Sequence, residues 1–68
     1  MKIKDRVRRL YIDRNGKKHL SLQVGTIVSF TDYWDYPAAI VNFDEFVNPQ
    51  FTLRSCTTTN ILEELEVV

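Results

Sequence analysis

The sequence predicts an all-β fold, a small barrel of short strands, and three observations lead there. Apolar positions recur with period two, not 3.6. Leu20, Leu22 and Val24 alternate with Ser21 and Gln23; Ala39, Val41 and Phe43 alternate with Ile40 and Asn42; Phe51 and Leu53 alternate with Thr52 and Arg54. These runs are rich in β-branched and aromatic residues, which fit a pleated, half-buried surface. Asn15-Gly16 sits between two such runs, the strongest short-range signal for a β-hairpin.

The elements follow in chain order. A first strand is expected over about 4–12 and a second over about 18–30. The loop between them, Asp13-Arg14-Asn15-Gly16-Lys17, has two readings. A three-residue loop with Gly16 in the left-handed region pairs Asp13 with Lys17 and Leu10 with Leu20. A two-residue loop pairs Arg14 with Lys17 and Tyr11 with Leu20. The first register sets two leucines opposite each other and is preferred. Asp32–Tyr36 is a second loop, closed by Pro37, which suits a strand start on an edge. A third strand over about 37–43, a loop over 44–49 and a fourth strand over about 50–57 come next. Asn60 followed by Glu63 has the spacing of a capping box, so one helical turn is expected over about 60–64. It runs into a last short strand over 65–68, which favours a single 3₁₀ or α turn over a true helix.

Five short strands with one 3₁₀ turn before the last is the arrangement of an SH3-like barrel; 1–68 then forms one domain. An OB-fold is the alternative, but it calls for longer strands and a helix between strands three and four. The expected core is Val7, Leu10, Leu22, Val24, Val28, Phe30, Ala39, Val41, Phe43, Phe51, Leu53, Leu62, Leu65 and Val67.

Composition excludes several classes. A chain of 68 residues hides only ~60% of the surface it exposes when unfolded, leaving little interior for a catalytic pocket. No apolar run approaches the ~20 residues of a membrane-spanning helix. Met1, Lys2 and Lys4 lead into no apolar stretch, so no signal peptide is expected. A single cysteine, Cys56, cannot pair internally and points to a reducing, cytoplasmic compartment. It is read as a buried structural thiol. A single histidine, His19, leaves no set of metal ligands, and the two glycines provide no phosphate-binding loop. Neither metal nor cofactor is expected. Asp32 and Asp35 lack a nucleophilic or basic neighbour in sequence, and Thr57–Thr59 lack a base. An enzyme is therefore not expected.

Two features read as surfaces. The first is charge: residues 1–18 carry a net +6 and residues 19–68 a net −6 within a chain of formal charge zero. Arg6, Arg8, Arg9, Arg14, Lys17 and Lys18 form a candidate steering set for an acidic partner. The competing reading lays the basic strand beside the acidic C-terminal strand, where the two neutralise each other. The second is aromatic: Tyr33, Trp34 and Tyr36 crowd one loop, interleaved with Asp32 and Asp35. Such rings either plug one end of the barrel or bind a partner, since Trp and Tyr dominate interface hot spots. With acidic neighbours they suit cationic or proline-rich ligands. Nucleic-acid binding rests on the basic set alone, because the aromatic rings lie in a different segment.

Several stretches resemble photosystem I reaction-centre subunit IV, the PsaE family. Asp5-Arg6-Val7-Arg8 is similar to its basic first strand, and Val24-Gly25-Thr26-Ile27-Val28-Ser29 to its Val-Gly-Thr-Val strand. Tyr36-Pro37 with Ile40-Val41-Asn42-Phe43-Asp44, and Thr59-Asn60 with Glu64-Leu65-Glu66-Val67-Val68, resemble later segments of that family. Asn42 stands where the family has Arg, Gln50–Cys56 replaces a glycine-rich loop, and the aromatic cluster follows rather than precedes the Val-Gly-Thr strand. The resemblance implies an SH3-like fold and a place on the stromal or cytoplasmic face of a thylakoid complex. It also implies an accessory role in photosynthetic electron transfer, docking acidic ferredoxin. The expected function is non-catalytic: a small barrel that binds another macromolecule, in the first place an acidic protein, through its first hairpin and the Asp32–Tyr36 loop. A free-standing adaptor or inhibitor is the alternative, and a nucleic-acid-binding barrel the third.

Overall fold

A computed structural model describes all residues, 1–68, and the chain is nearly all β. The strands are β1 (Arg6–Ile12), β2 (Lys18–Tyr33), β3 (Tyr36–Phe43), β4 (Phe46–Asn48), β5 (Phe51–Leu53), β6 (Cys56–Ile61) and β7 (Leu65–Val67), with one 3₁₀ turn, η1 (Leu62–Glu64), before the last. Five of them form one antiparallel sheet in the order β6-β3-β2-β1-β7, and β4 and β5 pair separately. This is the five-stranded, SH3-like arrangement with its 3₁₀ turn in the expected place.

The first hairpin adopts the three-residue reading. Leu10 pairs with Leu20, the Asp13 amide donates to Lys17, and Gly16 has φ +77°. β2 is long because it serves two neighbours, β1 along its first half and β3 along its second. It bends twice. Between the Arg8–Val24 and Leu10–Leu20 pairs β2 carries two extra residues. Between the Ile27–Val41 and Ser29–Ile40 pairs it carries one, a bulge at Val28. Bulges kink a strand and increase its twist, which is how an open sheet curls.

The core is small: Val7, Ile27, Ala39, Val41, Phe43 and Leu65 are buried, with Leu62 packed against them. One cross-sheet row runs Val67–Val7–Gly25–Phe43–Cys56. Its centre is buried and its ends reach solvent on the two edge strands. Val67 and Cys56 are accordingly exposed, not core as expected.

Strand β2 departs most from expectation. Leu20 and Val24 lie on the face opposite Gly25 and Ile27, the two residues it buries. Leu22, in the irregular stretch between them, is exposed, and Val24, like Leu10 across the sheet, is only half-buried. Val28 is the bulge residue and is exposed, while Phe30, beyond the bulge, is also largely exposed.

The expected fourth strand, 50–57, is two elements. Asn48 Oδ1 accepts the Gln50 amide at 3.0 Å, a turn that closes the β4–β5 hairpin, where Phe51 packs on Phe46 at 6.0 Å outside the main core. Leu53 is only half-buried there. After Arg54-Ser55 the chain re-enters the sheet as β6. Asn60 does not cap the turn. It lies within β6, is buried, and donates to the Thr58 carbonyl and hydroxyl, while Ile61 precedes η1 without a capping side chain. No helix is long and apolar enough to cross a membrane.

Candidate functional site

The aromatic segment is a tight turn rather than a long loop. Tyr33 and Tyr36 are the last cross-strand pair of β2 and β3, so Trp34 and Asp35 alone make the connection. Both lie in the left-handed region, at φ +49° and +69°. Positive φ at both central residues is the geometry of a type I′ hairpin, for which Asn-Gly is the favoured pair. A residue with a side chain costs ~1–2 kcal/mol in that conformation. Trp34 is 80% exposed and meets the edge of Tyr33 at 6.4 Å. It does not plug the barrel.

A cleft of about 420 Å³ opens beside this turn, lined by Tyr33, Trp34, Tyr36, Thr59, Ile61 and Glu64. β3 sets Tyr36, with Tyr33 paired to it from β2, next to β6 because Ala38 pairs with Ile61 and Ile40 with Thr59. On the other side of η1 a second cleft, about 480 Å³, is lined by Arg9, Leu10, Tyr11, Ile12, Lys18, Glu63 and Glu64. Glu64 belongs to both. Tyr11 is thus in the second cleft, separated from Trp34 by η1. Thr59, Ile61 and Glu64 escaped the sequence reading, since nothing local shows that β6 will lie beside the aromatic turn.

The basic set is divided by the fold. Arg6 pairs with Asp44 and donates to the Thr26 hydroxyl at 2.6 Å. Arg8 and Arg9 are half-buried. The Arg9 guanidinium lies over Phe43, 4.7 Å from the ring centre, and donates to the Thr58 hydroxyl, tying β1 to β6. Arg8 faces Glu66 across the β1–β7 pair, so basic and acidic strands do lie side by side. Arg14, Lys17 and Lys18 stay exposed at the end of the first hairpin.

That hairpin end carries a cluster not anticipated from sequence. Asp13 Oδ1 accepts the amides of Asn15 and Lys17, each at 2.9 Å, and Oδ2 lies 2.7 Å from His19 Nε2. The hydrogen bond with His19, then that from the Lys17 amide, hold the Asp13 carboxyl below the usual aspartate range. The His19 ring stacks on Tyr11 at 5.3 Å. His19 and Asp13 therefore organise the turn.

No protein-family model, curated protein or solved structure matches this chain.

Proposed function

We propose that this chain is a non-catalytic protein-interaction barrel that holds an extended, cationic or proline-rich segment of a partner in the cleft between Trp34 and Glu64. One observation carries the reading: a large aromatic ring stands in solvent on a turn whose backbone disfavours it. Strain of this kind clusters at sites where function maintains it. The tyrosines offer flat faces for proline rings or cations, and Glu64, with Asp32 and Asp35 nearby in sequence, favours positive charge. Trp34 is the sole tryptophan, so its emission reports occupancy directly. Titration with a library of proline-rich, arginine-containing peptides is expected to give a saturable emission change that Glu64→Gln weakens. Emission unchanged by the whole library at millimolar concentration overturns the reading.

A second role, docking an acidic redox protein in the manner of photosystem I subunit IV, is supported by the exposure of Arg14, Lys17 and Lys18. That role would go with a position on the cytoplasmic or stromal face of a membrane complex. The same three cations would serve a nucleic acid. Either mode weakens steeply as salt rises, whereas aromatic burial does not.

A further inference from the structure

One stretch of strand edge is left unpaired beside a cleft. β7 pairs with β1 only over Val7–Arg9, while β1 runs on to Ile12. The Val68 amide donates to the Arg6 carbonyl at 2.8 Å, so Arg6 and Arg8 are the residues of β1 bonded to β7. On the other side the Asp13 amide donates to the Lys17 carbonyl at 3.0 Å, so Tyr11–His19 is the next bonded pair with β2. Both ladders therefore aim the backbone groups of Leu10 and Ile12 away from β2. No strand meets the Leu10 carbonyl or the Ile12 amide and carbonyl.

η1 closes one end of this edge. Continued from the Arg9–Leu65 pair, Glu64 falls opposite Leu10, and there the chain coils into the 3₁₀ turn and leaves the edge. The space beyond is the cleft of about 480 Å³ that Leu10, Tyr11, Ile12, Glu63 and Glu64 line. An added strand cannot run past Leu10; it has to begin or end there. The blocked end presents the Leu10 carbonyl and the side chains of Glu63 and Glu64, all acceptors. The two ion pairs of the chain, Arg6–Asp44 and Asp13–His19, use neither glutamate. Arg9, the cation at this end, is turned onto Phe43 and Thr58, and Lys18 lies at the far end, paired with Ile12. Such an end suits the ammonium of a chain start and disfavours the carboxylate of a chain end.

We propose that this edge captures the free N-terminus of a partner polypeptide, whose first residues add to β1 as a parallel strand. Main-chain bonds at a sheet edge give affinity, and the terminal amine gives specificity. A parallel ladder placed here uses every open group. The α-ammonium donates to the Leu10 carbonyl beside Glu63 and Glu64. The first carbonyl accepts the Ile12 amide, and the third amide donates to the Ile12 carbonyl. The first side chain then stands beside Tyr11, which is 54% exposed, and an apolar or aromatic residue fits best there. The chain's own N-terminus is tied elsewhere, the Lys2 amide to the Asp5 carboxylate and the Lys4 amide to the Ile27 carbonyl. The site lies across η1 from Trp34 and does not rest on the reading of that cleft.

Hexapeptides with a free amine and an apolar or aromatic first residue, titrated into the nitrogen-15-labelled chain, test the proposal. The Ile12 amide signal is expected to shift saturably and its hydrogen exchange to slow. Acetylating the peptide amine should weaken binding ~10-fold or more, as should methylating the third peptide nitrogen. Methylating the second nitrogen, which points away from β1, should change little. Glu63→Lys, at an exposed position, should weaken binding ~10-fold or more, and Trp34→Ala should leave it unchanged. No shift at Ile12 with any free-amine peptide at millimolar concentration would overturn the proposal. So would equal binding of acetylated and free peptides, indifference to which nitrogen is methylated, or loss of binding with Trp34→Ala. An Ile12 signal that moves with the concentration of the chain alone would assign the edge to a second copy and overturn it as well.

Discussion

Replacing Gly25 with alanine tests the packing of β2 against the core. A methyl group built on Gly25 would lie 2.5 Å from Val41 Cγ1, 2.8 Å from Phe43 Cδ1 and 3.1 Å from the Asn42 carbonyl oxygen. Carbon atoms rest at ~3.5–4.0 Å, so Val41 would have to retreat by about 1 Å. Val41 and Phe43 are fully buried and have nowhere to go. Overpacking of this kind costs ~1–3 kcal/mol. Against it stands the lower chain entropy of an unfolded alanine, worth ~0.4–1 kcal/mol where the backbone permits the exchange. Gly25 is not in the left-handed region, so that gain applies, but it is the smaller effect. The net loss is about 1.3 kcal/mol, a fall in Tm of roughly 5–10 °C for a domain of this size.

A double-mutant cycle separates steric clash from other causes. Val41→Ala removes the closest atom and should cost about 2–3 kcal/mol through lost burial and a cavity. If the new methyl enters the vacated space, Gly25→Ala/Val41→Ala is less destabilised than the sum of the singles by at least ~1 kcal/mol. Far-UV circular dichroism during heating and urea denaturation is the appropriate assay, because Trp34 is too exposed to report on the core. A Gly25→Ala melt within about 2 °C of wild type, or a double variant additive within ~0.5 kcal/mol, refutes the reasoning.

Three further outcomes follow from the geometry. Trp34→Asn/Asp35→Gly supplies the residues that a type I′ turn favours, so stability measured by thermal melting should rise by ~1–2 kcal/mol while peptide binding is lost. The Asp13 carboxyl titrates below the usual aspartate range, so its contribution is present above the unfolded-state pKa and is lost as pH falls through the folded one. Amide NMR signals of Asn15 and Lys17 should hold their folded positions in mildly acidic solution and move only below that range; Asp13→Asn should abolish the transition. Arg9→Ala removes a cation over Phe43 and a hydrogen bond to Thr58, and should lower stability in urea by ~1–2 kcal/mol. Arg9→Met, which keeps the stem but not the charge, should recover part of that loss.

The strand pattern and the register of the first hairpin were legible because each is written locally, in the alternation and in Asn15-Gly16; the 3₁₀ turn lies where it was expected, but the Asn60 cap that suggested it does not form. The face that β2 buries was not. Its apolar stripe is Leu20, Leu22 and Val24, yet the core takes Gly25 and Ile27. The close approach to Val41 and Phe43 that requires a glycine is set by β3, which the sequence of β2 does not contain. The β4–β5 hairpin was within reach, since Pro49-Gln50 separates two strand-like triplets, but the alternation from Phe51 to Ser55 hid the break. At the candidate site, Tyr33, Trp34 and Tyr36 stood out by composition. Glu64 and Ile61 did not, because β6 and η1 arrive beside them only through the pairing of Ala38 with Ile61. Arg6, Arg8 and Arg9 looked like free cations because the residues beside them, the ion-pair partner Asp44, the cross-strand neighbour Glu66 and the Phe43 ring, lie far along the chain.

Both clefts borrow a wall from η1, and that wall is fastened by two pegs, Leu62 against the core and Leu65 within it. Beyond Leu65 only the short β7 clasps β1. Were this clasp to spring open, the central hairpins would persist while both clefts lost their floor together. A molecule lodged against Glu64 thus keeps the clasp shut by mass action, and slower hydrogen exchange at the amides of β7 would register its arrival from a distance.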